Sequence, residues 1–267
     1  MRYLDVDSPL APGGPVRVGL REAGSGPPVV ILHSGWGWEP YPFDLAFARL
    51  SPTHRVVAPD RTGYGASPPL PAAELPEDYH RRYARETLRV MDGLGIERAA
   101  VWGHSDGSVV AAWLALEAPG RVRGLVLEAF HHRRAKVASL PFFETGASEP
   151  ERFGPEIEAA LRRDHGHPRW REIVGAGARA WLRIIQGGMR TGGDLYDGRL
   201  RGLRCPVLFL HGSRDPRTEP GEIEDALAQV PDGRVVLLDA GHAPHSHPRC
   251  GPEAVEAAAR FVESLPP

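Results

Sequence analysis

The sequence predicts an α/β fold in which a mostly parallel sheet carries helices on both faces, and three observations support this prediction. Short apolar runs rich in β-branched residues alternate with segments of helical length, as in α/β proteins. Several runs lack polar alternation, which is expected of strands buried on both faces. One connection is much longer than the loops of ordinary α/β units, which indicates an insertion. The predicted strands are residues 16–20, 29–32, 55–58, 99–102, 125–127, 207–210 and 235–238.

Helical segments lie between these strands. Residues 74–94 and 105–118 have helical length, and residues 252–265 carry apolar side chains at helical spacing. The alternation of strand and helix therefore continues to the end of the chain.

The long connection follows the strand that ends at Leu127. It is rich in aromatic and aliphatic residues, and its stretches 156–163 and 170–185 are typical of amphipathic helices. We therefore predict a helical cap over residues 129–201, inserted into a core formed by residues 1–128 and 202–267. Most of the aromatic residues in the insertion are expected to pack the cap itself.

The composition is that of a globular protein. The formal net charge is −2, with 42% hydrophobic and 25% charged residues, so we expect no nucleic-acid or membrane partner. No apolar run has the length of a membrane span, and the first residues show no signal peptide. Cys205 and Cys250 are expected to be unpaired thiols, as is usual in the cytoplasm. We therefore expect a cytoplasmic protein with a small-molecule substrate, and a homodimer is left open.

The pentapeptide Gly103-His104-Ser105-Asp106-Gly107 directly follows one predicted strand. A G-x-S-x-G sequence between a strand and a helix is typical of a nucleophile elbow, in which a tight turn exposes the serine hydroxyl. The alternative is an ordinary glycine-rich turn whose serine caps a helix. Because the chain contains 31 glycines, a G-x-S-x-G match can occur by chance. Catalytic partner residues in the right order along the chain are needed to distinguish the two interpretations.

Two further residues follow predicted strands in the order that such a serine needs. Asp215 comes after residues 207–210, and His242 comes after residues 235–238. Active-site groups gather at the carboxyl ends of parallel strands. A serine hydroxyl also needs an imidazole to take its proton and a carboxylate to orient that imidazole. The order Ser105, Asp215, His242 therefore predicts a catalytic triad.

Other residues could take these places. Glu128 ends the predicted strand before the cap and could replace Asp215, although a cap-hinge or pocket-lining position is the alternative. His245 and His247 lie close to His242 and could replace it or bind a metal. Their spacing lacks the carboxylate or thiolate set typical of zinc sites, so no metal is expected. His242 is preferred because it comes first after its strand.

The segment after residues 29–32 is a candidate oxyanion hole. Acyl transfer needs backbone N–H groups directed at the developing oxyanion. We assign one donor to Asp106, the residue after the nucleophile, and the other to Gly35, with Trp36 as second choice. His33 is expected to orient this loop.

Together these motifs resemble the α/β-hydrolase superfamily over essentially the whole chain. The resemblance is carried by residues 33–37, residues 60–67, the elbow at Ser105, and the loops of Asp215 and His242. It implies the α/β-hydrolase fold, with a mostly parallel eight-stranded sheet, helices on both faces and a helical cap insertion. Ser34 departs from the family, since many members have glycine there, and this leaves the identity of the loop donor open.

A second resemblance is to valacyclovir-hydrolase-like α-amino-acid ester hydrolases, which also carry Ser-Asp-Gly at the elbow. It implies that Asp106 binds the amino group of a substrate. His104 and Ser108 depart from that subgroup, which usually has Trp and Gly there. The alternative is structural, because a carboxylate in the first turn of a helix is favoured by the helix dipole.

The resulting functional expectation is a serine hydrolase that cleaves a small ester or related acyl compound without a cofactor. Trp36, Trp38, Phe130 and Phe142 are expected to line the substrate pocket beside Asp106. The basic run 131–136 could attract an acidic substrate, although such runs usually form solvated faces. A carbon–carbon hydrolase or lyase with the same triad remains an alternative, as does a non-catalytic binding protein on this fold.

Overall fold

A computed structural model describes residues 1–266 and contains one eight-stranded sheet. The strands are β1 (Arg2–Val6), β2 (Val16–Ala23), β3 (Pro28–Leu32), β4 (Arg55–Pro59), β5 (Ala99–His104), β6 (Val122–Glu128), β7 (Val207–Gly212) and β8 (Gly233–Leu238). They lie in the order β1-β2-β4-β3-β5-β6-β7-β8. Pairs β1–β2 and β2–β4 are antiparallel, and the remaining pairs are parallel. The predicted fold class is confirmed.

The central strands are buried on both faces, which explains their continuous apolar sequence. All residues of β5, β6 and β7 are buried. In β5, Val101 contributes to one apolar cluster and Trp102 to another on the opposite face. Burial of each such side chain stabilises the fold by about 1.5–3 kcal/mol. The edge strand β1 is mostly exposed, and it escaped prediction because it has no apolar run.

Two layers of helices cover the sheet. Helices α2 (Tyr79–Gly93) and α3 (Asp106–Glu117) bury side chains in the first cluster, and α1 (Asp44–Leu50) and α8 (Gly251–Ser264) bury theirs in the second. The predicted helix 74–94 begins later, at Tyr79, because Pro76 disfavours helical geometry in the residue before it. A short α7 (Glu222–Leu227) follows β7.

Three helices occupy the long connection between β6 and β7. They are α4 (Leu140–Ser148), α5 (Pro155–His165) and α6 (Arg169–Thr191). Helices α5 and α6 match the predicted ones, whereas the short α4 was missed because its nine residues include proline and glycine. Apolar residues of α6 belong to the same cluster as those of α2 and α3. The boundaries of a separate cap at residues 129 and 201 stay a prediction.

Two further expectations concern the chain as a whole. No helix within residues 1–266 combines the length and apolar content needed to cross a bilayer. Cys205 is buried and Cys250 is half-buried, and both thiols are free.

Candidate active site

Ser105 occupies a sharp turn between β5 and α3. Its φ is 54° and its ψ is −120°, a conformation that costs energy for any residue with a Cβ. The turn requires glycine at both flanks. A Cβ on Gly103 would overlap the carbonyl oxygen of Gly107, and a Cβ on Gly107 would overlap that of Leu32. The G-x-S-x-G sequence therefore encodes the close approach of three backbone segments.

The loops after β7 and β8 bring Asp215 and His242 to this serine. His242 Nε2 lies 2.9 Å from Ser105 Oγ, and His242 Nδ1 lies 2.8 Å from Asp215 Oδ2. Because the carboxylate can only accept, Nδ1 carries the proton and Nε2 accepts from the serine hydroxyl. Asp215 Oδ1 also accepts the backbone N–H of Arg217 at 2.9 Å. The three predicted residues thus form one hydrogen-bonded chain, and all are buried.

The electrostatics of this chain suit proton transfer. Burial, assisted by the nearby Arg217 guanidinium, lowers the pKa of His242 to about 4, against the opposing effect of Asp215. Burial by itself would raise the pKa of Asp215, but His242 and the Arg217 N–H together hold it below its usual range. At neutral pH, His242 is therefore neutral and can accept a proton, while Asp215 is ionised.

The loop after β3 places backbone N–H groups beside the elbow. The Trp36 N–H already donates to Ser34 Oγ at 3.2 Å, whereas no backbone or side-chain acceptor within residues 1–266 engages the Gly35 N–H. A Cβ on Gly35 would lie 2.8 Å from Asp106 Oδ2, so the loop and the first turn of α3 are in close contact. The geometry favours Gly35 over Trp36 as a donor, and that role stays a prediction.

His33 holds this loop in place. Its Nδ1–H donates to the carbonyl oxygen of Ser34 at 2.7 Å, and its Nε2 accepts the backbone N–H of Arg61 at 3.2 Å. Burial, together with the Arg61 guanidinium, lowers the pKa of His33 well below its usual value. His33 is a neutral hydrogen-bonding residue, which agrees with the expected structural role.

The carboxylate of Asp106 is buried among hydrogen-bond donors. Tyr79 of α2 donates to Oδ2 and Trp181 of α6 donates to Oδ1, both at 2.8 Å, and His80 Nε2 lies 3.6 Å from Oδ1. Burial alone would raise the pKa of Asp106, but His80 and the Trp181 donor contribute to holding it below its usual range. Asp106 is therefore ionised and joins α3 to α2 and α6.

A narrow cavity lies above Ser105, which forms part of its lining. Of the predicted pocket residues, Trp36, Phe142 and Asp106 line it, together with Gly35. Its other walls are mainly aromatic or small. They comprise Ser34, Tyr41, His131, Phe143, Gly146, Val174, Gly177, Ala178, Trp181 and Arg217.

The structure does not bring Trp38 to this cavity. The chain turns at Gly37, whose φ is 90°, and the Trp38 ring then packs against Phe43 and Phe47 at 5.7 and 5.5 Å between centroids. Trp38 is therefore part of the core beneath α1, and its assignment to the pocket is wrong.

Phe130 is likewise placed away from the cavity. Ala129 has a φ of 49°, and this kink changes the direction of the side chains that follow β6. The Phe130 ring stacks on Tyr196 at 5.4 Å and packs edge-on against Phe209 at 5.2 Å, and it is fully buried. The residue that reaches the cavity is its neighbour, His131.

His131 is a candidate functional residue that the sequence analysis did not assign to the site. Its Nε2 lies 3.4 Å from Ser105 Oγ, and its ring stacks 5.7 Å from that of His242. Burial, together with Lys136, lowers its pKa well below the usual value, so the ring is neutral. The basic run 131–136 is not a solvated face, because Lys136 is fully buried and paired with the buried Glu222.

Glu128 and His245, the alternative candidates, form a separate network behind the hydrogen-bonded chain of Ser105, His242 and Asp215. Glu128 Oε1 accepts the backbone N–H and the ring Nδ1–H of His245 at 2.9 and 2.7 Å, and Oε2 accepts Trp102 Nε1–H at 2.9 Å. On the other side of the ring, the carbonyl oxygen of Tyr41 accepts from His245 Nε2 at 3.1 Å. Glu128 is thus committed to His245 and does not contact His242.

The same network contains the one three-residue group among residues 1–266 with metal-ligand spacing. Ligand atoms of His104, Glu128 and His245 lie within 4.8 Å of one another. His104 Nε2 donates to the carbonyl oxygen of His242 at 2.9 Å, and the oxygens of Glu128 already accept three donors. These contacts make the group a hydrogen-bonded support for the loop of His242.

Sequence comparison finds hydrolases among the relatives of this chain. It is 31% identical over 257 residues to a Pimeloyl-[acyl-carrier protein] methyl ester esterase of Nitrosomonas europaea, with 84% of this chain and 92% of that protein covered. A 2-hydroxymuconate semialdehyde hydrolase of Pseudomonas putida is 37% identical over 115 residues, which cover 42% of this chain and only 39% of that protein.

Structural comparison agrees on the fold. A thermophilic esterase from Thermogutta terrifontis superposes with a TM-score of 0.72 at 22% identity, covering 99% of this chain and 100% of that one. At such identity the likeness concerns the fold alone. Residues 29–249, which include the elbow and the loops of Asp215 and His242, match the model of the Alpha/beta hydrolase family. With this match, the chain belongs to the alpha/beta hydrolase family.

Proposed function

We propose that this hydrolase cleaves a small carboxylic ester through an acyl-enzyme formed on Ser105. The observation that carries the proposal is the hydrogen-bonded chain from Asp215 through His242 to Ser105, at 2.8 and 2.9 Å, on a strained elbow. A neutral imidazole held by an ionised carboxylate is what a weakly nucleophilic hydroxyl needs.

In the proposed first half-reaction, Ser105 Oγ attacks the ester carbonyl carbon while its proton passes to His242 Nε2. The carbonyl π electrons move onto the oxygen, where the N–H groups of Gly35 and Asp106 stabilise the negative charge. Such a donor is worth roughly 10²–10³-fold in kcat. The tetrahedral intermediate then expels the alkoxide, which takes the proton from His242 and leaves as the alcohol.

The second half-reaction returns the enzyme to its starting state. His242 removes a proton from a water molecule, whose oxygen attacks the acyl carbon. Collapse of the second tetrahedral intermediate releases the carboxylic acid and restores the proton to Ser105 Oγ. The net reaction consumes one ester and one water, and its steps need no cofactor.

The walls of the cavity support a small substrate. Trp36 stacks on Phe142 at 5.1 Å, and Phe143 stacks on Trp181 at 5.2 Å, so two aromatic pairs flank the space above the nucleophile. The space that these walls leave is smaller than that of a typical ligand pocket, which supports a small substrate. The name of the Nitrosomonas europaea relative, a methyl ester esterase, also supports ester chemistry.

The α-amino-acid ester alternative depends on Asp106. Both of its oxygens already accept hydrogen bonds from Tyr79 and Trp181, which supports the structural role. A panel of α-aminoacyl esters and matched plain acyl esters separates the two roles. Preference for the aminoacyl esters, removed by Asp106→Asn, would establish amine binding, and equal rates would assign Asp106 to the support of α3.

A fluorophosphonate probe tests the proposed nucleophile. We expect the probe to label wild-type protein at Ser105, with no label on Ser105→Ala, and activated small esters to be hydrolysed by wild type alone. Labelling without hydrolysis of any ester would redirect the proposal to the carbon–carbon hydrolase alternative. An unlabelled, inactive wild type would instead support a non-catalytic binding protein.

A further inference from the structure

One charged side chain in the cavity has no ionic partner within residues 1–266. Arg217 is half-buried, and no carboxylate oxygen among these residues lies within 4.0 Å of its guanidinium. Its one side-chain hydrogen bond is a long contact of 3.4 Å to the Tyr41 hydroxyl. A guanidinium partly removed from water is stabilised by an acceptor anion. The ionised Asp215 acts on Arg217 only from beyond ion-pair distance, and its oxygens already accept from His242 and from the backbone N–H of Arg217.

Neither of the other ionisable groups considered in the cavity wall, Asp106 and His131, forms an ion pair with Arg217. Asp106 is engaged by the donors of Tyr79 and Trp181. His131 is neutral because burial lowers its pKa well below the usual value. The charge of Arg217 is therefore the one charge in the cavity wall that is open to a ligand.

The guanidinium is held by aromatic faces. Its carbon lies 4.2 Å from the ring centroid of Phe142 and 5.9 Å from that of Trp36. Arginine stacked in this way keeps the edge of its planar fork available, and that edge matches the two oxygens of a carboxylate. The stacking also reduces the side-chain freedom lost when a ligand binds.

The same loop offers an internal contrast. Arg214 lies three residues earlier, is exposed, and pairs with Asp239 at 2.8 Å. Arg217 instead points into the cavity, where Phe142 and Trp36 line the same space as Ser105. The loop after β7 therefore carries one arginine paired on the surface and one unpaired at the site.

We propose that Arg217 binds a carboxylate carried by the substrate, so that the preferred substrate is an ester with an anionic end, such as a half-ester of a dicarboxylic acid. That the bound molecule is an ester rests on the proposed function of Ser105. Anion binding at Arg217 does not, and it can be measured separately. Because Asp106 is ionised, the carboxylate is placed at the Arg217 end of the cavity, away from α3.

The specificity test compares three methyl esters of similar length. Monomethyl adipate carries an anionic end, methyl hexanoate a neutral end and methyl 6-aminohexanoate a cationic end. We expect kcat/KM for the anionic ester to exceed that for the neutral ester roughly ten- to a hundredfold, the range of a hydrogen-bonded charge pair. Monomethyl glutarate and monomethyl pimelate then locate the best spacing.

Three variants assign the preference to its residue. Arg217→Met keeps an apolar contact with Phe142 and removes the charge, so the anionic-to-neutral ratio should fall to about one. Arg217→Lys keeps the charge without the fork and should give an intermediate ratio. Arg214→Met, the matched control in the same loop, should keep the wild-type ratio. Using a ratio at one pH cancels any effect of the variants on His242.

A binding measurement distinguishes failure of this inference from failure of the proposed function. Calorimetry with Ser105→Ala and monomethyl adipate should show binding that weakens at least tenfold when Arg217→Met is added. Binding without turnover by wild type would leave anion recognition intact and contradict ester hydrolysis. A wild type that prefers the neutral or cationic ester, or an Arg217→Met variant that keeps the anionic preference, would overturn the inference.

Discussion

At the scale of single residues, the proposed chemistry depends on a neutral His242. Burial and Arg217 lower its pKa, Asp215 raises it, and His211 adds a small lowering effect. The neighbouring His131 ring is itself neutral. The pKa of His242 is therefore determined by two opposing effects. Desolvation of the imidazolium lowers the pKa, and the Asp215 carboxylate raises it.

This balance predicts the acid limb of the pH–rate profile. Only the neutral imidazole accepts a proton, so kcat/KM should fall as pH decreases through the His242 pKa of about 4 and stay level up to neutral pH. Arg217→Gln removes a nearby cation and should move the limb to higher pH. The profile is measured with a neutral ester, and Arg214→Gln serves as control. An acid limb near the ordinary histidine pKa, at the same position in wild type and Arg217→Gln, would contradict this prediction.

Gly35 gives a second prediction at this scale. A Cβ there would lie 2.8 Å from Asp106 Oδ2, so Gly35→Ala should displace the oxyanion loop. Because one oxyanion donor is worth roughly 10²–10³-fold, kcat should fall by about that factor. Gly120→Ala, where the added Cβ meets no atom within 4 Å, is the control. Unchanged kcat in Gly35→Ala would remove Gly35 from the oxyanion hole.

At the scale of elements, α6 is joined to the elbow by one side chain. Trp181 donates to Asp106 at 2.8 Å, whereas the indole N–H of Trp170, also buried in α6, has no partner within residues 1–266. The two tryptophans therefore differ in hydrogen bonding while sharing a helix.

That difference predicts a difference in stability. Trp181→Phe and Trp170→Phe remove similar volumes, but only the first removes a hydrogen bond to a charged group. Trp181→Phe should cost about 1.5–3 kcal/mol more in the free energy of unfolding. Denaturation in urea measures both variants. Equal losses would mean that the Trp181 contact contributes no net stability.

The strands and turns that carry the candidate site could be predicted because short stretches of sequence determine them. The apolar strands and the glycines around Ser105 are visible in the sequence, and β7 and β8 end just before Asp215 and His242. The pocket walls could not be predicted in the same way. A φ of 49° at Ala129 decides that His131, and not Phe130, faces the cavity. Likewise, only packing shows that Arg217 lies on Phe142.

At the scale of the whole molecule, the inserted helices share their packing with the sheet. Side chains of α6 join the apolar cluster of α2 and α3, and a buried ion pair fixes the segment after β6. Lys136, the single lysine of the chain, pairs there with Glu222, which also accepts the backbone N–H groups of His132 and Arg133 at 2.8 and 2.9 Å.

Breaking that pair should destabilise the whole fold. Lys136→Met leaves the Glu222 carboxylate buried without its cation, which typically costs about 3–5 kcal/mol in the free energy of unfolding. The double variant Lys136→Met, Glu222→Gln should recover part of this loss because the buried charge is gone. Arg133→Met breaks a neighbouring exposed pair with Asp225 and should cost little. A loss in Lys136→Met no larger than in Arg133→Met would contradict the prediction.

The central claim is that Ser105 forms an acyl-enzyme with the help of His242 and Asp215. Wild-type protein mixed rapidly with 4-nitrophenyl butyrate, quenched in acid and mapped by mass spectrometry should carry the butyryl group on Ser105, with a burst of 4-nitrophenol near one per protein. His242→Gln should lose the burst although Ser105 is present. Turnover of the ester by Ser105→Ala at the wild-type rate, or an acyl group mapped to another residue, would contradict the claim.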